Sequence, residues 1–405
     1  MPDLSFYEAR ACVIEAIGQA GPVSATERVA APQALGRRLA EAVRADRDAP
    51  PWPRAMRDGF ALRARDGAAA LRVKGTVRAG ESPAVAVGAG ECVEIMTGAI
   101  VPAAADSVAM VEHARRDGDQ VTLEMPLKAG DNVAAPGSEY RAGAPLLEAG
   151  QRLDEAGLAL LAAVGLAEPL VYRRPRVAVL PTGDELVEPF AGGNPGAAQI
   201  RNSNGTALSA LCTRAGGHAE PRAPVGDEPG ALGRVVDEAL AGADLVVLSG
   251  GVSKGRFDFV KEVMAERDAE IFFHGARIRP GRPVVFGKVR ERFFFGLPGN
   301  PLSAMLTFEL FARPAIELLA GAAADRLGRP FFAAELGFDY RGRALPLTCF
   351  LPARYAGDLR RARVMPVLYH GSADVAAWAA ADGYWVLPEG QSELPAGTLV
   401  DVLPK

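Results

Sequence analysis

Residues 244–251 read DLVVLSGG, an uninterrupted apolar run that stops at two glycines. Two other stretches repeat this arrangement, VAVLPTG at 177–183 and FFFGLPGN at 293–300. Strands that are apolar on both faces are typical of a parallel sheet covered by helices on each side. Helices are expected after these strands at 204–214, 228–241 and 302–319. The repeated pattern predicts a three-layer α/β domain over residues 175–326.

The sequence before this domain contains helical patterns on either side of a β-rich segment. Helices are expected at 5–20, 26–39 and 154–164, with Ser5 and Asp154 as N-caps. Between the second and third helix, short β-branched runs are separated by glycine and proline, which is typical of a mostly β domain. We interpret residues 48–145 as this domain, inserted into an N-terminal linking domain made of 1–47 and 146–174.

The sequence after residue 326 contains few helical patterns. Strands are expected at 332–338, 384–387 and 398–402, separated by turns that contain proline and glycine. These strands predict a small C-terminal domain over 327–405 that resembles a β-barrel.

Composition excludes several classes of protein. A chain of 405 residues is expected to form two to four domains. No apolar run reaches the roughly 18 residues that a membrane span needs, and the N-terminus lacks a secretory pattern, so we expect a soluble, cytoplasmic protein with no membrane partner. The net charge is −4 with acids and bases interleaved, which argues against a nucleic-acid surface. The four cysteines are isolated, so we expect buried thiols and no zinc site or disulfide framework.

The loops after the three apolar strands are the main candidates for ligand binding. Loops at the carboxyl ends of parallel strands lie along one edge of a sheet, where ligands bind. Glycines allow close backbone approach, while hydroxyl and amide groups can bind phosphate. Each loop alone is equally well explained as a tight turn, but three in one domain favour a ligand site. The candidate binding residues are Thr182, Gly183, Asp184, Ser249, Gly250, Gly251, Ser253, Pro298, Gly299, Asn300 and Pro301.

Carboxylates accompany these loops. Glu185, Asp227 and Asp258 follow or flank predicted strands, and carboxylate oxygens suit a hard cation such as Mg²⁺. The alternative for each acid is a helix cap or a solvated surface, which is the preferred interpretation of Asp184.

An arginine-rich turn, RIRPGRP at 277–283, is the main basic motif. Arg279 and Arg282 could bind a phosphate or another oxyanion through forked hydrogen bonds. A solvated strand edge is the alternative. In the β region, RAMRDGF at 54–60 and MTGA at 96–99 are polar motifs that by themselves indicate only turns.

Five ordered motifs together resemble the molybdopterin molybdenumtransferase family, whose relatives include the C-terminal domain of gephyrin. The resemblance extends over nearly the whole chain, and GSAD at 371–374 and VLPEG at 386–390 also fit it. The five motifs are MRDGF at 56–60, IMTGA at 95–99, PTGDEL at 181–186, SGGVS at 249–253 and GLPGNP at 296–301.

The resemblance implies four domains and an elongated homodimer, whose active-site cleft joins the molybdopterin-binding α/β domain of one subunit to the β domain of the other. It implies insertion of molybdate into adenylylated molybdopterin, with Mg²⁺-dependent release of AMP. Arg279 and Arg282 bind substrate in this interpretation. The implied catalytic residues are Asp58, Thr97, Glu185, Asp227 and Asp258, and the implied metal ligands are Glu185, Asp227, Asp258 and Glu139.

Three departures from the family pattern affect this transfer. Glu139 replaces an aspartate, Arg57 precedes Asp58 as an insertion, and arginines replace lysines in the basic turn. Two other functions stay open: a molybdopterin adenylyltransferase, and a scaffold that binds pterin without turnover. Release of AMP that depends on molybdate would separate the first interpretation from both. The adenylyltransferase that supplies the substrate is also a candidate partner.

Overall fold

The computed structural model describes residues 4–23, 25–251, 259–327, 331–358 and 361–405. A six-stranded sheet forms the centre of the α/β region. Its strands in chain order are β1 (Arg176–Pro181), β2 (His218–Pro221), β3 (Leu245–Ser249), β4 (Glu270–His274), β5 (Val285–Val289) and β6 (Arg292–Leu297). They lie in the order β2-β1-β3-β6-β5-β4. In this spatial order the first four strands are parallel to one another. β5 is antiparallel to β6, and β4 is antiparallel to β5.

The register of this sheet aligns the ends of its three apolar parallel strands. Pro181 of β1 is paired with Ser249 of β3, and Ser249 is paired with Leu297 of β6. The loops that follow these three residues therefore leave the sheet at the same edge.

Helices cover both faces of the sheet, which confirms the predicted three-layer architecture. One face packs Val177 and Phe295 against Leu208, and the other packs Leu180 and Val246 against Val236. The helices are Ser203–Arg214, Pro229–Gly242, Phe259–Ala265, Pro301–Thr307 and Arg313–Leu319. The last two are joined by a π-helical turn, Phe308–Ala312, so the single helix expected over 302–319 contains a local widening.

The first helix, Phe6–Ala20, confirms the prediction for 5–20. Ser5 accepts a hydrogen bond from the Glu8 amide, and the Glu8 carboxylate accepts one from the Ser5 amide. This reciprocal capping box fixes the start of the helix. Its buried residues Val13 and Ile17 recur at helical spacing and join the core beneath the central sheet.

The helix predicted over 26–39 is wrong. Thr26–Arg28 is a strand paired with Leu170–Tyr172, and Ala31–Ala34 is a short 3₁₀ turn. The backbone amides here donate to distant residues, for example Leu39 to Gln151. These long-range hydrogen bonds outweigh the local helical preference of the segment.

The strands that flank the β region bring its two ends together. Val43–Arg44 pairs with Pro145–Leu147, and Leu39 shares a small core with Leu161 of the helix Glu155–Ala163. Asp154 caps this helix as expected, by accepting from the Gly157 amide. These contacts support the proposed division in which 48–145 is inserted into a linking domain.

The inserted region is mostly β, as predicted. Both faces of its six-stranded sheet are buried, since Ala61 and Val93 belong to one core and Leu62 and Cys92 to another. Its strands in spatial order are Ser107–Met110, Gly59–Leu62, Glu91–Ile95, Leu71–Val77, Gln120–Leu123 and Ala114–Asp117.

The C-terminal region is a closed five-stranded barrel, which confirms the barrel-like prediction. Closure arises because Thr348–Gly357 pairs with Ala362–Pro366 on one side and with Gly383–Leu387 on the other. The remaining barrel strands are Phe332–Leu336 and Leu399–Pro404. A short helix, Val375–Ala380, precedes the strand Gly383–Leu387.

Cys92, Cys212 and Cys349 are buried as expected, whereas Cys12 is only half-buried because it lies near the edge of the first helix's apolar face. Over the described ranges, every helix is too short or too polar to cross a membrane.

Candidate functional site

A cleft of about 660 Å³ lies at the edge where β1, β3 and β6 end. The three loops converge there, as the sheet topology predicts. Its walls include candidates from all three loops, the candidate Asp227, and Asn202 and Asn204 at the start of the helix Ser203–Arg214. They are Thr182, Gly183, Glu185, Asn202, Asn204, Asp227, Ser249, Gly250, Gly251, Pro298, Gly299, Asn300 and Pro301.

Close packing between the loops depends on Gly250. The Gly250 amide donates to the Leu297 carbonyl at 3.1 Å, and the Thr182 amide donates to the Ser249 carbonyl at 2.8 Å. Gly250 has a φ of +105°, and a Cβ there would lie 2.4 Å from the Thr182 carbonyl oxygen. Only glycine combines this backbone conformation with this approach.

Asn204 connects two of the three loops. Its Nδ2 donates to Ser249 Oγ at 2.8 Å and to the Gly299 carbonyl at 2.7 Å. The side chain is buried, and it enters the cleft from the first turn of its helix. We did not single out this residue from the sequence. The polar run Arg201-Asn202-Ser203-Asn204 at the start of a helix is the signal that could have identified it.

Two buried polar atoms in the cleft, Thr182 Oγ1 and Asn204 Oδ1, have no hydrogen-bond partner among the residues that the structure describes. Leaving a buried polar atom unsatisfied costs about 1–3 kcal/mol, so such atoms require an explanation. Both belong to residues that line the cleft, and a bound ligand could satisfy both atoms.

Acidic side chains crowd one end of the cleft. Asp184 Oδ1 accepts a hydrogen bond from the Asp227 amide at 2.9 Å. Asp184 therefore bridges two loops and does not cap a helix. Burial, followed by the negative charges of Asp184 and Glu185, raises the pKa of Asp227. Glu185 itself is exposed on the cleft wall.

These acids do not make a complete metal site by themselves. In the part of the chain that the structure describes, no three acidic, histidine or cysteine side chains are grouped to bind a metal ion. Asp258, which the sequence predicts as a ligand, and Ser253, a predicted substrate contact, lie outside the described residues.

The arginine-rich turn borders a second cavity, of about 430 Å³, lined by Arg279 and Arg282. This cavity adjoins the cleft, because Pro283, Pro298 and Asn300 line both. Both arginines are exposed. Arg277 points elsewhere, with its Nε 3.2 Å from the Glu389 carboxylate.

The barrel region also contributes to the cleft. Asn300 Nδ2 donates to Ser372 Oγ at 2.9 Å, and the Leu302 amide donates to the Ser372 carbonyl at 2.9 Å. Ala373 and Val375 line the cleft nearby. The GSAD motif at 371–374, which fits the family pattern, is the sequence signal for this contribution.

The candidate residues of the β region do not line this cleft, although two of them, Asp58 and Thr97, contact each other. Asp58 Oδ1 accepts from the Thr97 amide at 2.6 Å and from Thr97 Oγ1 at 2.7 Å. These bonds, the backbone one first, lower the pKa of Asp58. Asp58, Thr97 and Glu139 are exposed, and the described residues that line the cleft include none from 48–145.

Family models match the chain in three consecutive parts. Residues 4–165 match the MoeA N-terminal region (domain I and II), 178–318 match a probable molybdopterin binding domain, and 335–405 match the MoeA C-terminal region (domain IV). The cleft described above lies mainly in the second part.

Comparisons with whole proteins and with a crystal structure agree with the family models. The chain is 34% identical over 382 residues to a molybdopterin molybdenumtransferase of Staphylococcus aureus (strain COL), covering 93% of this chain and 90% of the relative. It is 37% identical over 300 residues to the enzyme of that name from Nostoc sp., covering 72% of this chain and 68% of the relative. A molybdopterin biosynthesis MoeA protein from Pyrococcus horikoshii OT3 superposes with a TM-score of 0.84 at 26% identity, with both chains fully covered. The chain therefore belongs to the molybdopterin molybdenumtransferase family.

Proposed function

We propose that this protein inserts molybdate into adenylylated molybdopterin and releases AMP. The observation that carries this proposal is the cleft at the carboxyl edge of the sheet, where three loops converge. Two buried atoms in this cleft, Thr182 Oγ1 and Asn204 Oδ1, lack a hydrogen-bond partner within the described ranges. A pterin has several ring nitrogens and amino groups that can donate to such oxygens. The family membership of the whole chain supports the same substrate.

Mg²⁺ fits the acidic end of the cleft. The charges of Asp184 and Glu185 add to burial in raising the pKa of Asp227, and a bound cation would relieve this repulsion. Glu185 and Asp227 would bind the ion through oxygen, which is the donor that Mg²⁺ prefers. Bound there, it would neutralise charge on the phosphoanhydride of the substrate. Asp258 and Glu139 stay predictions as further ligands.

The protein's own residues would orient the two substrates. Asn204 fixes the distance between the Ser249 and Gly299 loops, so the walls of the cleft are preorganised for a flat heterocycle. Arg279 and Arg282, in the adjoining cavity, would bind an oxyanion in two-point fashion. Substitution of Arg279 would decide whether this oxyanion is molybdate or the phosphate of molybdopterin.

A homodimer would complete the site. Asp58 and Thr97 form a hydrogen-bonded pair on the exposed surface of the β region, away from the cleft of their own chain. In a symmetric dimer, this pair would face the cleft of the partner subunit. The cytoplasm stays the expected compartment, and the adenylyltransferase that makes the substrate stays a candidate partner.

Assay of AMP release tests the proposal directly. Purified protein is mixed with adenylylated molybdopterin and Mg²⁺, with and without molybdate, and AMP is quantified by chromatography. We expect AMP release only when molybdate is present. Formation of adenylylated molybdopterin from ATP and molybdopterin would instead identify an adenylyltransferase. Tight binding of the pterin without any turnover would identify a scaffold.

A further inference from the structure

A separate cavity lies between the linking region and the α/β region. Its volume is about 290 Å³, and none of its lining residues belongs to the cleft. One wall comes from residues 36–38, 151–152 and 172–174, and the other comes from 214–216 and 313–326. We call it the arginine cavity, because seven of its lining residues are arginines: Arg37, Arg38, Arg152, Arg174, Arg214, Arg313 and Arg326.

Four of these arginines have carboxylate partners. The Arg37 guanidinium lies 2.5 Å from Glu27, and that of Arg326 lies 3.1 Å from Glu148. The other two share buried acids: Arg313 contacts Glu317 at 3.0 Å and Glu309 at 3.3 Å, while Arg214 also contacts Glu309. Four carboxylates therefore balance four guanidinium groups.

Arg38, Arg152 and Arg174 are not balanced in this way. Within the described residues, none of the three has a carboxylate within ion-pair distance. Arg38 donates to the Gly150 carbonyl at 3.0 Å, and Arg152 donates to the Gly36 carbonyl at 3.4 Å. Carbonyl oxygens satisfy individual N–H groups but do not neutralise the positive charge. The cavity therefore has an excess of three positive charges.

This excess is unfavourable while the cavity contains only water. Arg38 and Arg174 are both half-buried. Burial lowers the pKa of Arg38, and the positive charges of Arg152 and Arg313 lower it further, against the opposing effect of Glu317. Burial and the charge of Arg37 likewise lower the pKa of Arg174, against the opposing effect of Glu27. A dianion between these side chains would remove the repulsion and accept hydrogen bonds from their guanidinium N–H groups.

We propose that the arginine cavity binds a phosphate group, either as inorganic phosphate or as a phosphomonoester. Guanidinium groups converging from two sides suit a tetrahedral dianion, because each planar fork can donate two parallel hydrogen bonds. The volume also leaves room for an organic substituent beside the phosphate. Since the two walls belong to different regions of the chain, the bound anion would connect the linking region to the α/β region.

Isothermal titration calorimetry of the full chain with inorganic phosphate, at constant ionic strength, tests the proposal. The variants are Arg38→Gln and Arg174→Gln, alone and combined. Each single variant should raise the phosphate Kd roughly tenfold, as expected for loss of one charge-assisted contact. A second titration with AMP distinguishes the two sources, when only the binding that the double variant loses is counted, since AMP released by the cleft can also bind there. Tighter binding of AMP indicates a phosphomonoester, and equal or weaker binding indicates inorganic phosphate.

A control variant separates this cavity from general charge effects. Arg363→Gln removes an exposed arginine paired with Glu335 on the barrel. It should retain the phosphate binding that the double variant loses. Circular dichroism verifies that each variant is folded. The proposal is overturned if wild-type protein shows no phosphate or AMP binding beyond that of chloride, or if the folded double variant binds as wild type does.

Discussion

Asn204 is the residue whose replacement tests the construction of the cleft most directly. Asn204→Ala removes the two hydrogen bonds from Nδ2 to Ser249 Oγ and to the Gly299 carbonyl. A net contribution of about 0.5–1.5 kcal/mol for each bond gives a loss of roughly 1–3 kcal/mol. For a domain of the size of the α/β region, each kcal/mol of lost folding stability lowers the midpoint of thermal unfolding by about 2–4 °C. We expect this shift in the thermal transition of the α/β region, measured by differential scanning calorimetry.

The same substitution should affect substrate binding. Asn204 Oδ1 is buried in the cleft and accepts no hydrogen bond from the part of the chain that the structure describes, so it is available to a donor on the pterin. Loss of one such bond should raise the KM for adenylylated molybdopterin by about 2–10-fold.

Two matched variants make the result interpretable. Asn204→Asp keeps the shape of the side chain but replaces the donor with an acceptor, which would face the Gly299 carbonyl. It should be at least as damaging as Asn204→Ala. Thr213→Ala, on the same helix, removes an exposed hydroxyl that donates to the Ser209 carbonyl, and it should leave KM unchanged. If Asn204→Ala matches Thr213→Ala in both midpoint and KM, the connection between the loops does not organise the cleft.

Four further outcomes are expected. Glu185→Gln should abolish Mg²⁺-dependent AMP release without changing the circular dichroism spectrum, since this side chain is exposed; near-normal turnover would exclude it as a metal ligand. Mixing Asp58→Ala with Glu185→Ala chains should restore one site per heterodimer, and failure in a verified heterodimer would argue against a shared cleft. Arg279→Ala should raise either the KM for molybdate or the Kd for molybdopterin, and Arg279→Lys should recover part of the loss. If neither value changes, the turn is a solvated strand edge and does not bind an oxyanion. Thr97→Val should raise the pKa of Asp58 part of the way to its ordinary value, because the hydroxyl bond is lost and the stronger backbone bond is kept. Because the hydroxyl bond lowers the pKa of Asp58 in the folded state, it stabilises the protein at pH values above the unfolded-state pKa of Asp58. This stabilisation is lost as the pH falls through the folded-state pKa, which NMR titration of the carboxyl carbon would measure.

Most of the α/β architecture could be predicted from the sequence because it depends on strong local patterns. The apolar runs at 177–180, 245–248 and 293–297 are strands in the structure, and a parallel sheet requires its loops to leave at one edge. The helix predicted over 26–39 failed for the opposite reason. Its amides bond to residues more than a hundred positions later, and no local pattern records such partners.

The candidate site shows the same contrast between local and distant information. Glycine-rich loops and their acids were visible in the sequence, because glycine is needed where backbones approach closely. The roles of Asn204 and Ser372 were not visible, since each depends on a partner from another part of the chain.

By itself, the sequence determined the layered α/β fold, the family and the loops from which the cleft is built. These features follow from hydrophobic periodicity and from motifs a few residues long, which depend on local backbone chemistry. Only the tertiary structure decided which side chains share the cleft, that Asp58 and Thr97 lie away from it, and that three unbalanced arginines meet in a second cavity. Electrostatic interactions and hydrogen bonds act over a few ångströms in space, whatever the separation of the residues along the chain.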